Sequence, residues 1–320
     1  MPLVTSAYNP PLLFRNGHWA TIYAGTLRKV TGLLQERERI PLPDGDFLDL
    51  DWSFAKEVTS KVVILLHGLE GSAQRPYITG SAKQFNKMGY DACAVNFRGC
   101  SGEPNLLFRS YHSGATEDLE AVIHYILETK SYSNIVIKGF SLGGNLALKY
   151  LGEGRKLPKE ITGAVAVSVP CHLHSSLLQL LKPKNWLYAR RFKTHLVEKL
   201  TLKQTLYPHK ISKDALSSIR TLKDFDDVYT SKAHGFSNAL EYYEKCSCLQ
   251  FLSAIKIPVL LINAKNDSFL GKECYPLGIS EKSDQLYLEM PNYGGHVGFY
   301  GTQNSTYTEQ RAIEFLKEVL

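Results

Sequence analysis

Short runs of consecutive apolar residues recur along the chain, separated by stretches whose apolar positions fall at helical spacing. Val62 to Leu66, Ala92 to Asn96, Ile135 to Ile137, Ala164 to Val167, Val259 to Ile262 and Leu286 to Leu288 form the first set. Such near-continuous, β-branched runs predict strands covered on both faces, as in a mainly parallel sheet. Ala82 to Met88, Thr116 to Glu128, Gly144 to Leu151 and Tyr307 to Leu320 form the second set. Within Thr116 to Glu128, Leu119, Val122, Ile123 and Ile126 lie three and four residues apart, on one helix face. Earlier, Leu48, Leu50 and Trp52 alternate with Asp49 and Asp51 behind Pro43-Asp44-Gly45, which predicts a hairpin between Glu38 and Phe54. Strands alternating with helices predict a doubly wound α/β sheet. From about Cys171 to Ser253 the strand rhythm stops and only helical patterns remain. The expected organisation is therefore one α/β catalytic domain, residues 1–170 (with an N-terminal arm to about 35) and 254–320, carrying a helical cap insertion at 171–253.

Length and composition narrow the class. A chain of 320 residues buries about 75% of its unfolded surface and needs no covalent staples. Hydrophobic residues at 44% and charged residues at 21% exclude a disordered or fibrous chain. No apolar run approaches the roughly 18 residues of a membrane span. Met1 to Trp19 shows no basic start and no apolar core, so no secretory signal is expected. The six cysteines are irregularly spaced, which predicts reduced thiols and a cytoplasmic setting rather than a disulfide framework. Cys246 and Cys248 form a lone C-x-C without the second pair a zinc site requires. A net charge of +6 is too small and too dispersed for nucleic-acid binding.

The chemistry concentrates at strand ends. Ile135-Val136-Ile137-Lys138 runs into Gly139-Phe140-Ser141-Leu142-Gly143 and then a helical pattern. This is G-x-S-x-G in the strand–turn–helix setting that lifts a serine hydroxyl clear of a sheet. After the strand Val62 to Leu66 stands His67-Gly68-Leu69-Glu70-Gly71, where hydrolases of this kind place an oxyanion-hole amide. The amides of Leu69 and Leu142 are thus the expected oxyanion donors, and His67 is expected to bond its own turn without moving protons. A serine nucleophile needs a base, and the base needs a carboxylate to orient it. Asp267 follows the strand Val259 to Ile262, and His296 sits among glycines after the last strand. Both stand in the chain order Ser, Asp, His of α/β-hydrolases. Asp284 and Glu273 are rivals for the acid, less well placed at strand ends. His172 and His174 would not share a helix face and lack a third ligand, so a metal is not expected there.

Together these residues resemble the YheT-like branch of the α/β-hydrolase superfamily over nearly the whole chain. The resemblance rests on Gly17 to Ile22, His67 to Gly71, Asn96 to Glu103, Tyr111 to Leu119, the elbow around Ser141, His234-Gly235-Phe236 with Tyr242-Tyr243, and Gly294 to Phe299. It implies Ser141 as nucleophile, Asp267 as acid and His296 as base. The family's acid loop usually reads Asp-Asp-Pro-Phe, whereas here Asn266 and Ser268 flank Asp267, so the loop lacks its stiffening proline. By resemblance the substrates are carboxylic esters of short- to medium-chain acyl groups, monoacylglycerol-like lipids or phospholipids, cleaved without metal or organic cofactor. Acyl transfer to an alcohol or thiol would use the same residues, and a non-catalytic lipid-binding member is a further alternative. Lys182, Lys184, Arg190, Arg191, Lys193, Lys199 and Lys203 interleave with Trp186, Leu187, Tyr188 and Phe192. A solvated cap face packing its apolar side on the pocket is the preferred expectation, with weak peripheral contact to an anionic lipid surface as the alternative. No protein partner is implied.

Overall fold

A computed structural model describes residues 3–320. Met1 and Pro2, the first residues of the segment searched for a secretory signal, lie outside them. Among the described residues nine strands form a single sheet: β1 (Leu3–Val4), β2 (Glu36–Pro41), β3 (Phe47–Ser53), β4 (Lys61–Leu66), β5 (Asp91–Asn96), β6 (Asn134–Phe140), β7 (Ile161–Val167), β8 (Val259–Ile262) and β9 (Leu286–Glu289). Their order is β1-β9-β8-β7-β6-β4-β5-β3-β2. Only the pairs β2/β3 and β3/β5 are antiparallel, so the hairpin expected from the Pro-Asp-Gly turn caps one edge of a parallel sheet.

Alternation within the apolar runs sorts the side chains onto two faces. Val62, Ile64 and Leu66 pack with α3 (Thr116–Thr129) and α4 (Leu142–Gly152) on one side, while Val63 and Leu65 pack with α2 (Pro76–Lys87) and the C-terminal helix (Tyr307–Val319) on the other. All four residues of the predicted α3 stripe are buried in the first of these cores. Helix α2 begins six residues before the periodic pattern, at Pro76, whose fixed φ suits the first helical position. Thr79-Gly80-Ser81 hides this first half because it is poor in helix formers. Gly80 is there for packing: a Cβ at this position would run into Glu309 Oε1 and stand 2.6 Å from Arg28 Nη2. Arg28 and Glu309 form a buried twofold ion pair at 2.6 and 2.9 Å that ties the N-terminal arm to the last helix.

Between β7 and β8 the described residues form helices and turns, among them α5 (Leu173–Leu180), α6 (Trp186–Leu206) and α7 (Ala239–Cys246). Leu173, Leu177, Leu196, Leu200, Phe225 and Tyr242 share a hydrophobic cluster of their own there. The basic stretch in α6 is not a uniform solvated face. Lys203 is buried and donates to the Asn105 Oδ1 at 2.8 Å, and Lys199 reaches Glu70 beneath it. Both side chains turn inward because they meet acceptors on the sheet's loops, which lie far away in sequence.

Candidate active site

Every strand-end segment singled out above converges on one chamber. Ser141 follows β6 directly, with φ 52° and ψ −119°, a conformation that costs an L-residue about 1–3 kcal/mol. Its amide donates to the Val167 carbonyl at 2.8 Å and its carbonyl accepts from Asn145 at 3.0 Å, which holds the turn from both ends. Gly143 makes the turn feasible: a Cβ there would stand 2.5 Å from the carbonyl oxygens of both Leu66 and His67. The elbow is thereby pressed against the end of β4. Asn145 secures the helix behind it, donating to the Ser113 and Cys246 carbonyls and accepting from the Cys248 amide.

The other two side chains arrive from distant loops. His296 Nε2 lies 2.9 Å from Ser141 Oγ, and His296 Nδ1 lies 2.9 Å from Asp267 Oδ2. The carboxylate's other oxygen accepts from the Phe269 amide at 2.9 Å, and the Phe269 ring covers the imidazole with centroids 4.3 Å apart. Asp267 and His296 are both buried. The rival acids are not in this line: Asp284 is exposed, and Glu273 is half-buried in a short helical turn beyond the loop.

The loops are braced by residues to which the sequence pattern assigned no role. Thr21, on α1 (Gly17–Ile22), accepts from the His296 amide at 2.8 Å. Asn266 accepts from the Gly295 amide at 2.9 Å and donates to the Arg15 carbonyl at 3.0 Å. Ser268 donates to Asn185 Oδ1 at 2.7 Å, and Asn185 returns a bond to the Ser268 carbonyl at 2.7 Å. The two residues that replace the usual acid-loop pattern therefore supply hydrogen bonds in place of a proline ring. Ser168 accepts from the Val297 amide at 2.9 Å, just past the imidazole. The motif Gly17 to Ile22 was the one available signal for Thr21, and it carried no chemistry of its own.

His67 is fully buried, with Nδ1 2.7 Å from the Gly68 carbonyl and Nε2 accepting from the Phe97 amide at 3.2 Å. Burial pushes its pKa down to about 3, which keeps the ring neutral and structural. In the turn that follows, the amides of Gly68, Glu70 and Gly71 donate to Tyr77, Tyr111 and the Gly68 carbonyl. The Leu69 amide has no such acceptor among the described residues, and Leu142 stands at the N-terminus of α4, where helix amides lack partners. Both residues line the chamber beside Ser141 and His296.

That chamber encloses about 450 Å³ and is walled mainly by apolar side chains, including Leu173, Leu177, Leu180, Phe192, Leu196 and Phe225 from the helical segment. His172 caps α5 through Nδ1, accepting from the Ser175 amide at 3.1 Å, and His174 stacks on Tyr243. Neither has metal-site company, and no cluster of three metal-ligating side chains occurs among the described residues. All six cysteines are free thiols. No helix among the described residues is long and apolar enough to cross a membrane. A hydroxyl, an imidazole and a carboxylate so aligned can move a proton off the hydroxyl as it attacks a carbonyl.

A family model described as the alpha/beta hydrolase fold matches residues 61–301. The chain is 36% identical over 293 residues, covering 90% of this chain and 85% of the relative, to YheT of Escherichia coli (strain K12), classed as a candidate esterase. It is 29% identical over 326 residues to the human monoacylglycerol lipase ABHD2, covering 93% of this chain and 76% of that one. The solved structure of the Pyrococcus furiosus esterase Pf2001 shares the fold, with a TM-score of 0.61 at 20% identity over 91% of this chain and 96% of that one. The sheet order, the strand-end chamber and relatives that span most of the chain agree: this protein belongs to the α/β-hydrolase family, in its YheT-like branch of ester hydrolases.

Proposed function

We propose that the protein cleaves carboxylic esters through an acyl-enzyme on Ser141. The observation that carries this reading is the line of hydrogen bonds from Asp267 through His296 to Ser141, opening on an apolar chamber. Ser141 Oγ attacks the acyl carbonyl and His296 takes its proton, while Asp267 holds the imidazole in the tautomer with Nε2 free. The amides of Leu69 and Leu142 bind the oxyanion; losing one such donor costs about 2.7–4 kcal/mol of barrier. The alcohol departs with the proton held on His296. The same imidazole then draws a proton from water, which releases the acid and restores the serine. These steps draw on no metal or organic cofactor.

Residues 171–253 act as a cap in this scheme and 1–170 with 254–320 as the catalytic domain, a division supported by the separate helical cluster. The apolar wall supplied by α5 and α6 suits a short- to medium-chain acyl group or a monoacylglycerol-like lipid, in keeping with the relative named a monoacylglycerol lipase. The start of α6 offers weak contact to an anionic lipid surface. Trp186 and Leu187 are exposed there beside Lys182, Lys184 and Arg190. Sedimentation with phosphatidylserine vesicles, lost in a Trp186→Ala, Leu187→Ala variant, checks that contact.

The central test is Ser141→Ala. It should lower hydrolysis of p-nitrophenyl esters by about 10³-fold or more while the thermal transition stays in place. A fluorophosphonate probe should label the wild type at Ser141 alone. Activity near wild type in Ser141→Ala, or absence of labelling, sinks the mechanism.

A further inference from the structure

Glu70 immediately follows the proposed oxyanion donor Leu69 and adopts φ 53°, in the left-handed region that a residue with a Cβ seldom occupies. Each of its polar groups is held. Its amide donates to the Tyr111 hydroxyl at 2.9 Å, and that hydroxyl donates to Glu70 Oε1 at 2.6 Å. Its carbonyl accepts from Arg75 Nη2 at 2.8 Å. Its carboxylate, 4% exposed, accepts from Lys199 Nζ at 3.0 and 3.1 Å. Two of the three holders, Tyr111 and Arg75, belong to the same strand-end loops. Lys199 does not: it lies near the middle of α6, with its ammonium also 3.3 Å from Cys100 Sγ. No other ion pair between α6 and the loops at the strand ends occurs among the described residues.

A strained residue held by three others has a position that the surroundings determine, and it fixes the end of the one-residue span, Leu69, whose amide lies one peptide unit before it. Taking the serine-hydrolase reading above as its basis, we infer that Lys199 is a positioning residue for catalysis: its ion pair with Glu70 couples the seating of the cap helix to the orientation of the Leu69 amide. With Lys199 in place, the buried carboxylate is neutralised and the turn stays wound. Without it the carboxylate keeps only Tyr111, and an uncompensated buried charge turns toward water, shifting Glu70 and, through the single residue between, the Leu69 amide. Oxyanion donors act only on the charge that develops during reaction, so this loss falls on the chemical step rather than on substrate binding.

The test is steady-state kinetics of Lys199→Met, Lys199→Arg, Glu70→Gln and the Lys199→Met, Glu70→Gln double variant on a p-nitrophenyl ester. Fluorophosphonate titration of Ser141 normalises each to the fraction folded and competent. Lys199→Met should lower kcat by about tenfold with KM within twofold, short of the 10²–10³-fold expected for outright loss of a donor. Lys199→Arg should recover kcat to within about threefold of wild type, since the guanidinium keeps the charge. The double variant should be no slower than the slower single one, because both remove one interaction. A Lys199→Met kcat within twofold of wild type, a loss confined to KM, failure of arginine to rescue, or additive losses would each overturn the inference. In all four cases wild-type activity and labelling at Ser141 would stand. Their absence would instead fail the underlying mechanism.

Discussion

The turn that carries Ser141 and the two loops that carry Asp267 and His296 meet within hydrogen-bond distance, yet they are held by opposite means. The elbow is held by regular structure. Its five residues are consecutive, its strain is imposed by β6 on one side and α4 on the other, and at Gly143 its backbone is pressed against the backbone of Leu66 and His67 at the end of β4. The acid and histidine loops lie outside regular structure and lean on side chains from elsewhere. Thr21, Arg15 and Asn185 hold them from positions far away along the chain, through Thr21 Oγ1, the Asn266 amide group and the Asn185 amide group. A site of this kind has one part that regular structure makes rigid and another that is only as well placed as the N-terminal arm and the helical segment that brace it.

This contrast can be broken from either side, and the largest effect should come from the elbow. Gly143→Ala puts a methyl group into two carbonyl oxygens, so the turn must open. We expect kcat/KM for an ester to fall by about 10²-fold or more, as a displacement near 1 Å can cause, with the melting temperature also lowered. Wild-type kinetics in that variant would mean the elbow is looser than its contacts imply. Next comes the anchor of the arm. Arg28→Ala leaves Glu309 buried and unpaired, and breaking such a pair costs about 3–5 kcal/mol, measurable by urea unfolding.

Smaller and more selective effects should follow at the braces. Thr21→Val keeps the shape but removes the acceptor for the His296 amide; we expect kcat to fall about tenfold and stability by about 1–2 kcal/mol. Asn266→Ala should behave alike, as it frees the Gly295 amide. If either variant lost stability but no kcat, the loops would be positioned by something other than these bonds. The smallest effect is expected at Asp226, which lines the chamber wall and accepts from Tyr243 at 2.5 Å and Thr230 at 2.7 Å. Burial raises its pKa from 3.8 to about 6. The folded state therefore favours the protonated form, and the benefit of that form, full below about pH 4, is lost as the pH rises through 6. Asp226→Asn should match the wild type near pH 4 and exceed it by about 1 kcal/mol at pH 8, read from thermal unfolding at both values.

Much of this molecule is legible in one dimension. The parallel strands could be read because β-branched runs buried on both faces leave no alternation, and the α3 stripe because its four apolar residues face one core. Ser141, Asp267 and His296 could be named because each follows a strand, and strand ends in a parallel sheet all open on one side. Local periodicity failed where packing outranked propensity. The first half of α2 contains Gly80, a poor helix former, where Arg28 and Glu309 leave no room for a side chain. Lys199 and Lys203 look like surface charge in α6, and turn inward because Glu70 and Asn105 wait beneath them.

What the order of residues determined, then, was most of the parallel strands and the candidates for the reactive groups, since both depend on neighbours a few positions away. What only the folded chain decided was their bracing: that Thr21 steadies His296, that Asn266 and Ser268 stiffen the acid loop without a proline, and that Lys199 meets Glu70. Those contacts join residues separated by tens to hundreds of positions. Hydrogen bonds and ion pairs act over a few ångströms of space, and no pattern along the sequence records which distant groups will share that space.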